Sequence, residues 1–441
     1  MDVVEQIRNA GVVGAGGAGF PTHVKVKCQA EVVIANGAEC EPLLRIDQQL
    51  MERYADDVVK GLQAVMDVTG AKRGVIALKA HYYRAVDALE KAIQGKPGVS
   101  LHLMKSYYPA GDEQQMVYDI TGRVVPTGGL PLDVGAVVNN VNTLINIANA
   151  LDGKPVTDKY VTVGGEVANP VTLKVPIGTP LRTLIAAAGG PASEHGYTLI
   201  IGGPAMGKLC DDWDSPVTKT TGGVLVFRSS HKLIAQKTSN TEEEIRMAKA
   251  VCCQCNMCTL MCPRNALGLG VEPHKAMRAA AMGQGALLGD PNGVLSCCDC
   301  GICTYYACNF GLKPSRMMQN MKQGLMQAGY KPRKEVKGSP NANLEMTRLP
   351  VKRLISRMGV ADYDVPAPLD ERDLGVTKVT IPLQQHIGAP SVPVVSAGDR
   401  VEKGALIADI PEGRLGAKIH ASISGSVVSV TDREIVISRT A

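Results

Sequence analysis

The sequence has few aromatic residues and lacks any long apolar run. Only one of its 441 residues is tryptophan, and three are phenylalanine. No segment contains the 18 or more apolar residues that a membrane-spanning helix needs. The N-terminal sequence MDVVEQIRNAG also lacks the charged start and apolar stretch of a signal peptide. We therefore expect a soluble protein with no membrane span.

The chain also lacks a strong excess of positive or negative charge. The formal net charge is +5, and no run of lysine or arginine is interleaved with aromatic residues. A nucleic-acid-binding surface is therefore not expected. Apolar residues nevertheless make up 45% of the chain, which is ample material for hydrophobic cores. Because a chain of this length exceeds what one core usually organises, we expect several domains.

The cysteine pattern argues against a disulfide-stabilised secreted domain. Ten of the thirteen cysteines fall within two short segments, 252–262 and 297–308. Such crowding in a chain without a leader sequence indicates metal binding in a reducing compartment. We therefore expect the protein in the cytoplasm or in a structure enclosed within it.

The two cysteine segments have the spacing of iron–sulfur ligands. The sequence CCQCNMCTLMCP matches the bacterial ferredoxin pattern CxxCxxCxxxCP, in which the fourth cysteine ligates the other cluster of a pair. The second segment, CCDCGICTYYACN, repeats the triplet, but its last cysteine follows after four residues and without a proline. We predict two 4Fe–4S clusters, whose ligands are Cys252, Cys255, Cys258, Cys262, Cys297, Cys300, Cys303 and Cys308.

Structural zinc is the alternative interpretation of these cysteines. Zinc sites usually combine two separated CxxC pairs, whereas each segment here supplies a triplet followed by a more distant fourth cysteine. The spacing therefore favours iron–sulfur clusters. Cys253 and Cys298 fall out of register with the ligands, and we expect them to be small buried residues.

The first part of the chain alternates between strand and helix patterns. Strands are predicted at 31–35, 74–78 and 99–104, and helices at 47–69 and 81–94. This alternation is typical of an α/β domain with helices flanking a mainly parallel sheet.

The rest of the chain predicts a multidomain α/β protein with four modules. Short strands punctuated by glycine indicate a β-grasp-like domain after the α/β domain. The predicted bounds are 1–150 for the α/β domain, 155–228 for the β-grasp domain, 241–328 for an α-helical ferredoxin-like domain with both clusters, 329–374 for a connecting linker and 375–441 for a small all-β domain.

Four polar motifs stand out in the α/β region. The glycine-rich sequence GAGGAGFPTHVK runs from Gly14 to Lys25, and glycines of this kind allow backbone N–H groups to approach a phosphate or a flat ring. NGAECEP follows the first predicted strand, at the strand end where α/β folds bind ligands. YPAGDE begins at Tyr108 and NNVNT at Asn139.

Together these motifs resemble the flavin-binding fold shared by the flavoprotein subunit of respiratory complex I and the RnfC-type subunit of NADH:ferredoxin complexes. TVGGEV and GGPAMG resemble the SLBB β-grasp module of that superfamily. IPLQQHIGAP, GDRVEKGALIA and ASISGSVV resemble its barrel-sandwich hybrid domain, which comes first in the RnfC-type proteins and last here. This order is similar to that of the cobalamin reductases of propanediol-utilisation microcompartments.

The resemblance implies an NADH-dependent oxidoreductase that passes electrons through FMN and two 4Fe–4S clusters to cobalamin, reducing cob(III)alamin to cob(I)alamin. It also implies a corrinoid-processing adenosyltransferase and microcompartment shell proteins as partners, and a location within a microcompartment. Two alternatives stay open: an RnfC-like component of an NADH:ferredoxin complex, and a non-catalytic relay protein that has lost its flavin.

The resemblance also implies roles for individual residues. The FMN site would comprise Gly14, Gly16, Gly17 and Lys25 at the ribityl phosphate, with Asn36, Glu39, Asn139, Asn140 and Thr143 around the flavin. Phe20 and the candidate catalytic residues Glu41 and Glu113 would face the nicotinamide nucleotide, and Tyr108, Gly111 and Asp112 would lie between the two. Carboxylates in such places more often bind ribose hydroxyls than transfer protons. His23 and Val26 depart from the complex I pattern, which has glycine and tryptophan there.

Overall fold

A computed structural model describes residues 2–238, 240–336 and 338–439. Its first domain is built on a parallel four-stranded sheet in the order β3-β2-β1-β5, with helices on both faces. The bounds are α1 Val3–Asn9, α2 Thr22–Lys25, β1 Val32–Gly37, α3 Ile46–Arg53, α4 Ala55–Thr69, β2 Arg73–Lys79, α5 Tyr83–Ala92, β3 Val99–Met104, β4 Tyr107–Tyr108, α6 Glu113–Thr121, β5 Ala136–Asn140 and α7 Val141–Leu151.

The predicted strands of this domain are confirmed, but the single helix predicted over 47–69 is wrong. The chain forms α3 and α4, which are separated at Tyr54 by a non-helical backbone conformation. The Tyr54 hydroxyl donates to Glu371 at 2.5 Å, and its ring lies 6.2 Å from that of Tyr160. Both contacts come from later in the chain, so the local periodicity did not reveal the break.

The second domain has the mixed sheet of a β-grasp fold. Its strand order is β12-β7-β6-β10-β8-β9, in which β12 is the later strand Leu369–Asp370. Strand β10 pairs in parallel with β6 and antiparallel with β8. Helix α8 buries Leu181, Leu184 and Ile185 in the core of this domain. The bounds are β6 Asp158–Gly165, β7 Val171–Pro176, α8 Leu181–Ala187, β8 Tyr197–Ile201, β9 Lys208–Cys210 and β10 Gly223–Arg228.

The two cysteine segments lie in a region of short helices. Proline at the first position begins four of these helices, where its missing N–H costs no hydrogen bond. The bounds are α9 Lys232–Lys237, α10 Thr241–Val251, α11 Met257–Leu260, α12 Pro263–Ala266, α13 Pro273–Met282, α14 Pro291–Leu295, a π-helical turn Cys303–Ala307 and α15 Pro314–Gln327.

The connecting segment 329–374 carries regular structure of its own. Strand β11 (Leu349–Pro350) pairs with β4 of the first domain, helix α16 (Val351–Met358) follows, and β12 (Leu369–Asp370) extends the β-grasp sheet. The segment therefore joins the first two domains through backbone hydrogen bonds as well as connecting the third and fourth.

The C-terminal domain consists of two small sheets, in the orders β13-β19-β18-β15 and β14-β16-β17. Its buried residues share a hydrophobic core with the N-terminal segment, where Ile7 and Val12 belong to the same cluster as Ile419 and Ile437. The two ends of the chain thus meet in space. The bounds are β13 Lys378–Pro382, β14 Val392–Pro393, β15 Arg400–Val401, β16 Leu406–Asp409, β17 Ile419–His420, β18 Gly425–Val430 and β19 Glu434–Ser438.

Within the described ranges, no helix is both long enough and apolar enough to cross a bilayer.

Candidate functional site

One cysteine site combines the first triplet with the last cysteine of the second segment. Cys252, Cys255, Cys258 and Cys308 line a single cavity. Burial, and then the nearby thiols of Cys308, Cys252 and Cys255, raise the pKa of Cys258 to about 12. We call this set the outer cysteine site, because Cys255 is exposed and the other three are half-buried.

The other cysteine site is formed reciprocally, by the second triplet and the last cysteine of the first segment. Burial, and then the thiols of Cys297 and Cys262, raise the pKa of Cys303. Cys262, Cys300 and Cys303 are buried and Cys297 is half-buried. We call this set the inner cysteine site. The exchange of the fourth cysteine between the two segments is the arrangement that their ferredoxin-like spacing predicts.

The backbone turns sharply within both triplets. Gln254 and Asn256 have φ of 56° and 66°, and Asp299 and Gly301 have φ of 58° and 74°. Such left-handed conformations are uncommon for residues other than glycine, although Asn and Asp tolerate them best. These turns wrap each triplet around one site.

The cysteine spacing suits clusters better than single zinc ions. Among the described residues, no group of three His, Cys, Asp or Glu side chains is placed to hold one metal ion. Ligands of one zinc ion converge on a single centre about 2.3 Å from each sulfur, whereas ligands at the corners of a 4Fe–4S cluster are held further apart by the irons and sulfides. Burial and neighbouring thiols raise the pKa of Cys258 and Cys303, whereas coordination to iron would favour the thiolate form of each ligand.

The remaining cysteines of the two segments lie outside these two sets. Cys253 borders the outer cavity but is exposed, so its predicted burial is wrong. Cys298 is half-buried beside Cys300, with which it shares a hydrogen bond that lowers the pKa of Cys298.

The glycine-rich loop is held at its ends and open in its middle. The backbone N–H of Gly14 donates to the carbonyl oxygen of Phe20 at 3.0 Å, which closes the loop. A β-carbon on Gly16 would lie 3.0 Å from the Asn140 side chain, so glycine allows this close approach. A β-carbon on Gly17 would meet nothing within 4 Å, and residues 16–18 are exposed, while Phe20 is half-buried.

Buried polar groups from three elements surround the loop. Thr143 at the start of α7 accepts a hydrogen bond from the backbone N–H of Ala15 at 2.9 Å. The side-chain Nδ2 of Asn139 is buried and has no hydrogen-bond partner within the described part of the chain. The ammonium of Lys25 is largely buried, which lowers its pKa, and Glu113 opposes that shift. No hydrogen bond to this ammonium is found among the described residues.

These features fit FMN. A half-buried lysine whose ammonium has no hydrogen-bond acceptor among the described residues, and a glycine loop with an open middle, provide what an anionic phosphate requires, namely a cation and accessible backbone N–H groups. The orphaned Asn139 amide is a further donor that a polar ring edge would satisfy.

Asn36 and Glu39 form hydrogen bonds that fix the backbone at the carboxyl end of β1. The Asn36 amide donates to the carbonyl oxygen of Gly111 at 3.0 Å and so ties β1 to the YPAGDE loop. The Glu39 carboxylate accepts the first backbone N–H groups of α3, from Ile46 at 3.0 Å and Asp47 at 3.1 Å. Burial and the neighbouring Asp47 carboxylate raise the pKa of Glu39.

Glu41 and Tyr108 join three domains. The Glu41 carboxylate accepts backbone N–H groups from Ala205 at 3.0 Å and Met206 at 3.1 Å, in the GGPAMG loop of the β-grasp domain. The fully buried Tyr108 hydroxyl lies 3.1 Å from Glu41 and 2.7 Å from the carbonyl oxygen of Cys300. The structure therefore places Glu41 in a contact between domains, whereas the Glu113 carboxylate makes no hydrogen bond among the described residues.

A second contact joins the YPAGDE loop to the inner cysteine site. Arg264, which follows Cys262 and Pro263, forms a bidentate ion pair with Asp112 at 2.6 and 2.9 Å. Both side chains are largely buried, and such charge-assisted pairs fix geometry strongly. Arg264 was not predicted from the sequence, although its position directly after the CP motif was a usable signal.

Two buried lysines of the β-grasp domain were also missed. Lys159 donates to the carbonyl oxygen of Ala15 in the glycine-rich loop at 2.9 Å, and Lys219 donates to that of Gly11 at 2.7 Å. Burial lowers the pKa of Lys159 to about 8 and that of Lys219 to about 7. A lysine within the apolar strand DKYVTV was the available signal for Lys159.

Comparison with known families finds the same modules. Four family models match: the Nuo51 FMN-binding domain at 7–149, the SLBB domain at 160–209, the 4Fe–4S dicluster domain at 251–313 and the RnfC barrel sandwich hybrid domain at 371–440. The predicted fold class is thereby confirmed, and the FMN and 4Fe–4S cofactors are the ones these domains bind.

Similar proteins have been named in several bacteria. The chain is 44% identical to the cobalamin reductase PduS of Citrobacter freundii and 45% identical to that of Salmonella typhimurium, over 99% of this chain and 96% of each relative. It is 38% identical to the RnfC-type component of the Na(+)-translocating ferredoxin:NAD(+) oxidoreductase complex of Acetobacterium woodii, over 59% of this chain and 57% of that relative.

Proposed function

This chain belongs to the family of the cobalamin reductases PduS, and we propose that it transfers electrons from NADH through FMN and two 4Fe–4S clusters to cobalamin. The observation that carries the proposal is the contact between the inner cysteine site and the first domain, here called the flavin domain because residues 7–149 match the FMN-binding family model. Tyr108 and Asp112, which belong to the YPAGDE loop of the flavin domain, bind the carbonyl oxygen of Cys300 and the side chain of Arg264.

The chain's own residues bind, orient and enclose the cofactors. FMN, when bound, accepts a hydride from NADH and releases electrons one at a time to iron–sulfur clusters. Lys25 and the open glycine-rich loop would hold its phosphate, and Asn36, Asn139 and Asn140 would border its ring. The residues need supply no acid or base for this step, because positioning of the nicotinamide against the flavin is sufficient.

The burial of the two cysteine sites gives the electron path a direction. The inner site is bonded to the flavin domain through Tyr108 and Arg264, and three of its four cysteines are buried. The outer site includes the exposed Cys255 and borders the surface near Phe310, which is 52% exposed. Electrons would therefore enter at the inner cluster and leave from the outer one.

Anaerobic stopped-flow spectroscopy tests the proposed function. Protein loaded with FMN and iron is mixed with NADH and then with cob(III)alamin. We expect the cob(II)alamin and cob(I)alamin spectra to form at the rate at which the clusters are reoxidised. Clusters that stay reduced until ferredoxin is added would instead support a role like that of the RnfC-type proteins. Protein that binds no flavin would support a relay role.

We also propose, from family membership, that the physiological partners include a corrinoid adenosyltransferase and that the protein resides in a microcompartment. Cob(I)alamin is strongly reducing and short-lived, so direct transfer to the enzyme that alkylates it would prevent its reoxidation. Co-purification with shell proteins from a native lysate, compared with a lysate that lacks the shell, tests the location.

Substitutions at the two carboxylates predicted to face the nicotinamide should have different effects on the KM for NADH. Glu113→Gln is expected to raise the KM for NADH by about tenfold, which corresponds to one hydrogen bond of roughly 1.4 kcal/mol to a ribose hydroxyl. Glu41→Gln should leave that KM nearly unchanged, because its carboxylate is engaged by Ala205, Met206 and Tyr108. Steady-state kinetics with ferricyanide as acceptor measures both; an equal rise in both variants would contradict the distinction.

A further inference from the structure

The C-terminal domain contacts the glycine-rich loop directly. Residues 384–388, here called the C-terminal loop, follow strand β13 of the last domain. The backbone N–H of Ile387 donates to the carbonyl oxygen of Gly19 at 3.1 Å. A β-carbon on Gly19 would lie 3.2 Å from both the carbonyl oxygen of Gln385 and the α-carbon of His386. Backbone therefore packs against backbone, and the φ of +71° at Gly19 also requires glycine.

Buried polar groups secure this contact. The side chain of Gln385, which is 4% exposed, accepts the backbone N–H of Lys219 at 3.0 Å and donates to the carbonyl oxygen of Pro382 at 3.0 Å. The Lys219 ammonium in turn donates to the carbonyl oxygens of Gly11 and Lys418, each at 2.7 Å. Gln385 thus links the C-terminal loop to the lysine that binds Gly11, three residues before the glycine-rich loop.

We propose that Gln385 and Ile387 of the C-terminal loop are positioning residues that order the glycine-rich loop for FMN. Residues 16–18 of that loop are exposed and flank the open space beside Gly17. A loop whose ends are fixed beforehand loses less conformational entropy when it closes on a ligand. The last domain would therefore raise FMN affinity without touching the clusters.

The chain offers a matched pair of variants. Gln385→Ala removes the buried link, whereas Gln384→Ala alters an exposed neighbour whose amide donates only within the loop, to the carbonyl oxygen of Gly388 at 3.1 Å. The dissociation constant of FMN is measured by flavin fluorescence quenching on flavin-free protein with intact clusters. We expect about tenfold weaker binding for Gln385→Ala, as for the loss of one buried hydrogen bond, and no change for Gln384→Ala.

Two further measurements distinguish a positioning role of Gln385 from a general loss of structure in the variant. The iron content and the electron paramagnetic resonance spectra of the clusters should be unchanged in Gln385→Ala, and amide hydrogen exchange should quicken at residues 14–19 but not in β2. FMN affinity within about twofold of wild type would overturn the proposal. Should Gln385→Ala fail to fold, Ile387→Pro, which removes the backbone donor to Gly19, is measured in its place against the same criteria. Cobalamin reduction is not part of this test, so its outcome is independent of the acceptor.

Discussion

Replacing Cys300 with alanine is expected to remove about half of the bound iron and to reduce NADH-driven cobalamin reduction to background. Each 4Fe–4S cluster uses four cysteine ligands, and the buried Cys300 belongs to the inner cysteine site. Without the inner cluster, electrons from the flavin have no route to the outer one. Iron analysis and electron paramagnetic resonance of the dithionite-reduced protein measure the loss directly. NADH oxidation by ferricyanide should persist, because the flavin itself can reduce that acceptor.

Cys298→Ala is the matched control for this experiment. Cys298 is two residues away and half-buried beside Cys300, but it is out of register with the triplet. We expect Cys298→Ala to keep its full iron content. The reverse pattern, in which Cys298→Ala loses iron and Cys300→Ala retains it, would show that the ligand assignment is wrong.

A substitution at the outer site tests the direction of electron flow. Cys255→Ala should leave an inner cluster that NADH reduces normally, while transfer to cobalamin is lost. Rapid-freeze spectroscopy after mixing with NADH measures reduction of the inner cluster in this variant. An inner cluster that NADH no longer reduces would place the outer site nearer the flavin and reverse the proposed order.

The local features of the sequence were sufficient to predict the modules. Cysteine spacing predicted the clusters, because cysteines on one short turn can ligate different irons of the same cluster. Strands β1 and β2 of the first domain contain the continuous apolar runs VVIA and GVIAL, which strands buried on both faces of a parallel sheet require. These signals lie within a few residues of one another, so no knowledge of the tertiary structure was needed.

Contacts over long sequence distances were not predictable in this way. The role of Glu41 depends on Ala205 and Met206, more than 160 residues away, and the hydroxyl of Tyr54, at the break between two helices, binds Glu371. The motif NGAECEP indicated a site but did not reveal which of its two glutamates would turn toward another domain.

The position of the last domain follows the same rule. The sequence predicted an all-β module at the C-terminus, whereas its packing on Ile7 and Val12 of the N-terminal segment is a property of the folded chain. Because the two chain ends meet, a module added at either end can occupy the same place against the flavin domain.

Replacing Lys25 with methionine is expected to weaken FMN binding by about ten- to a hundredfold. Methionine keeps most of the length of the side chain but removes the cation, and a hydrogen bond to a charged group contributes roughly 1.5–3 kcal/mol. The Lys25 ammonium is largely buried beside the glycine-rich loop, and this burial lowers its pKa. A phosphate bound there would supply an opposite charge and so stabilise the charged ammonium. Fluorescence titration of flavin-free protein measures the affinity.

Riboflavin makes this test specific for the phosphate. Riboflavin lacks the phosphate, so its affinity should be equal in wild type and Lys25→Met, and the preference for FMN over riboflavin should be lost in the variant. Lys27→Met, at an exposed lysine two residues further on, should retain the preference in full. If Lys25→Met weakened both flavins equally, Lys25 would support the fold of the loop instead of binding the phosphate, and the cation for FMN would have to come from another side chain.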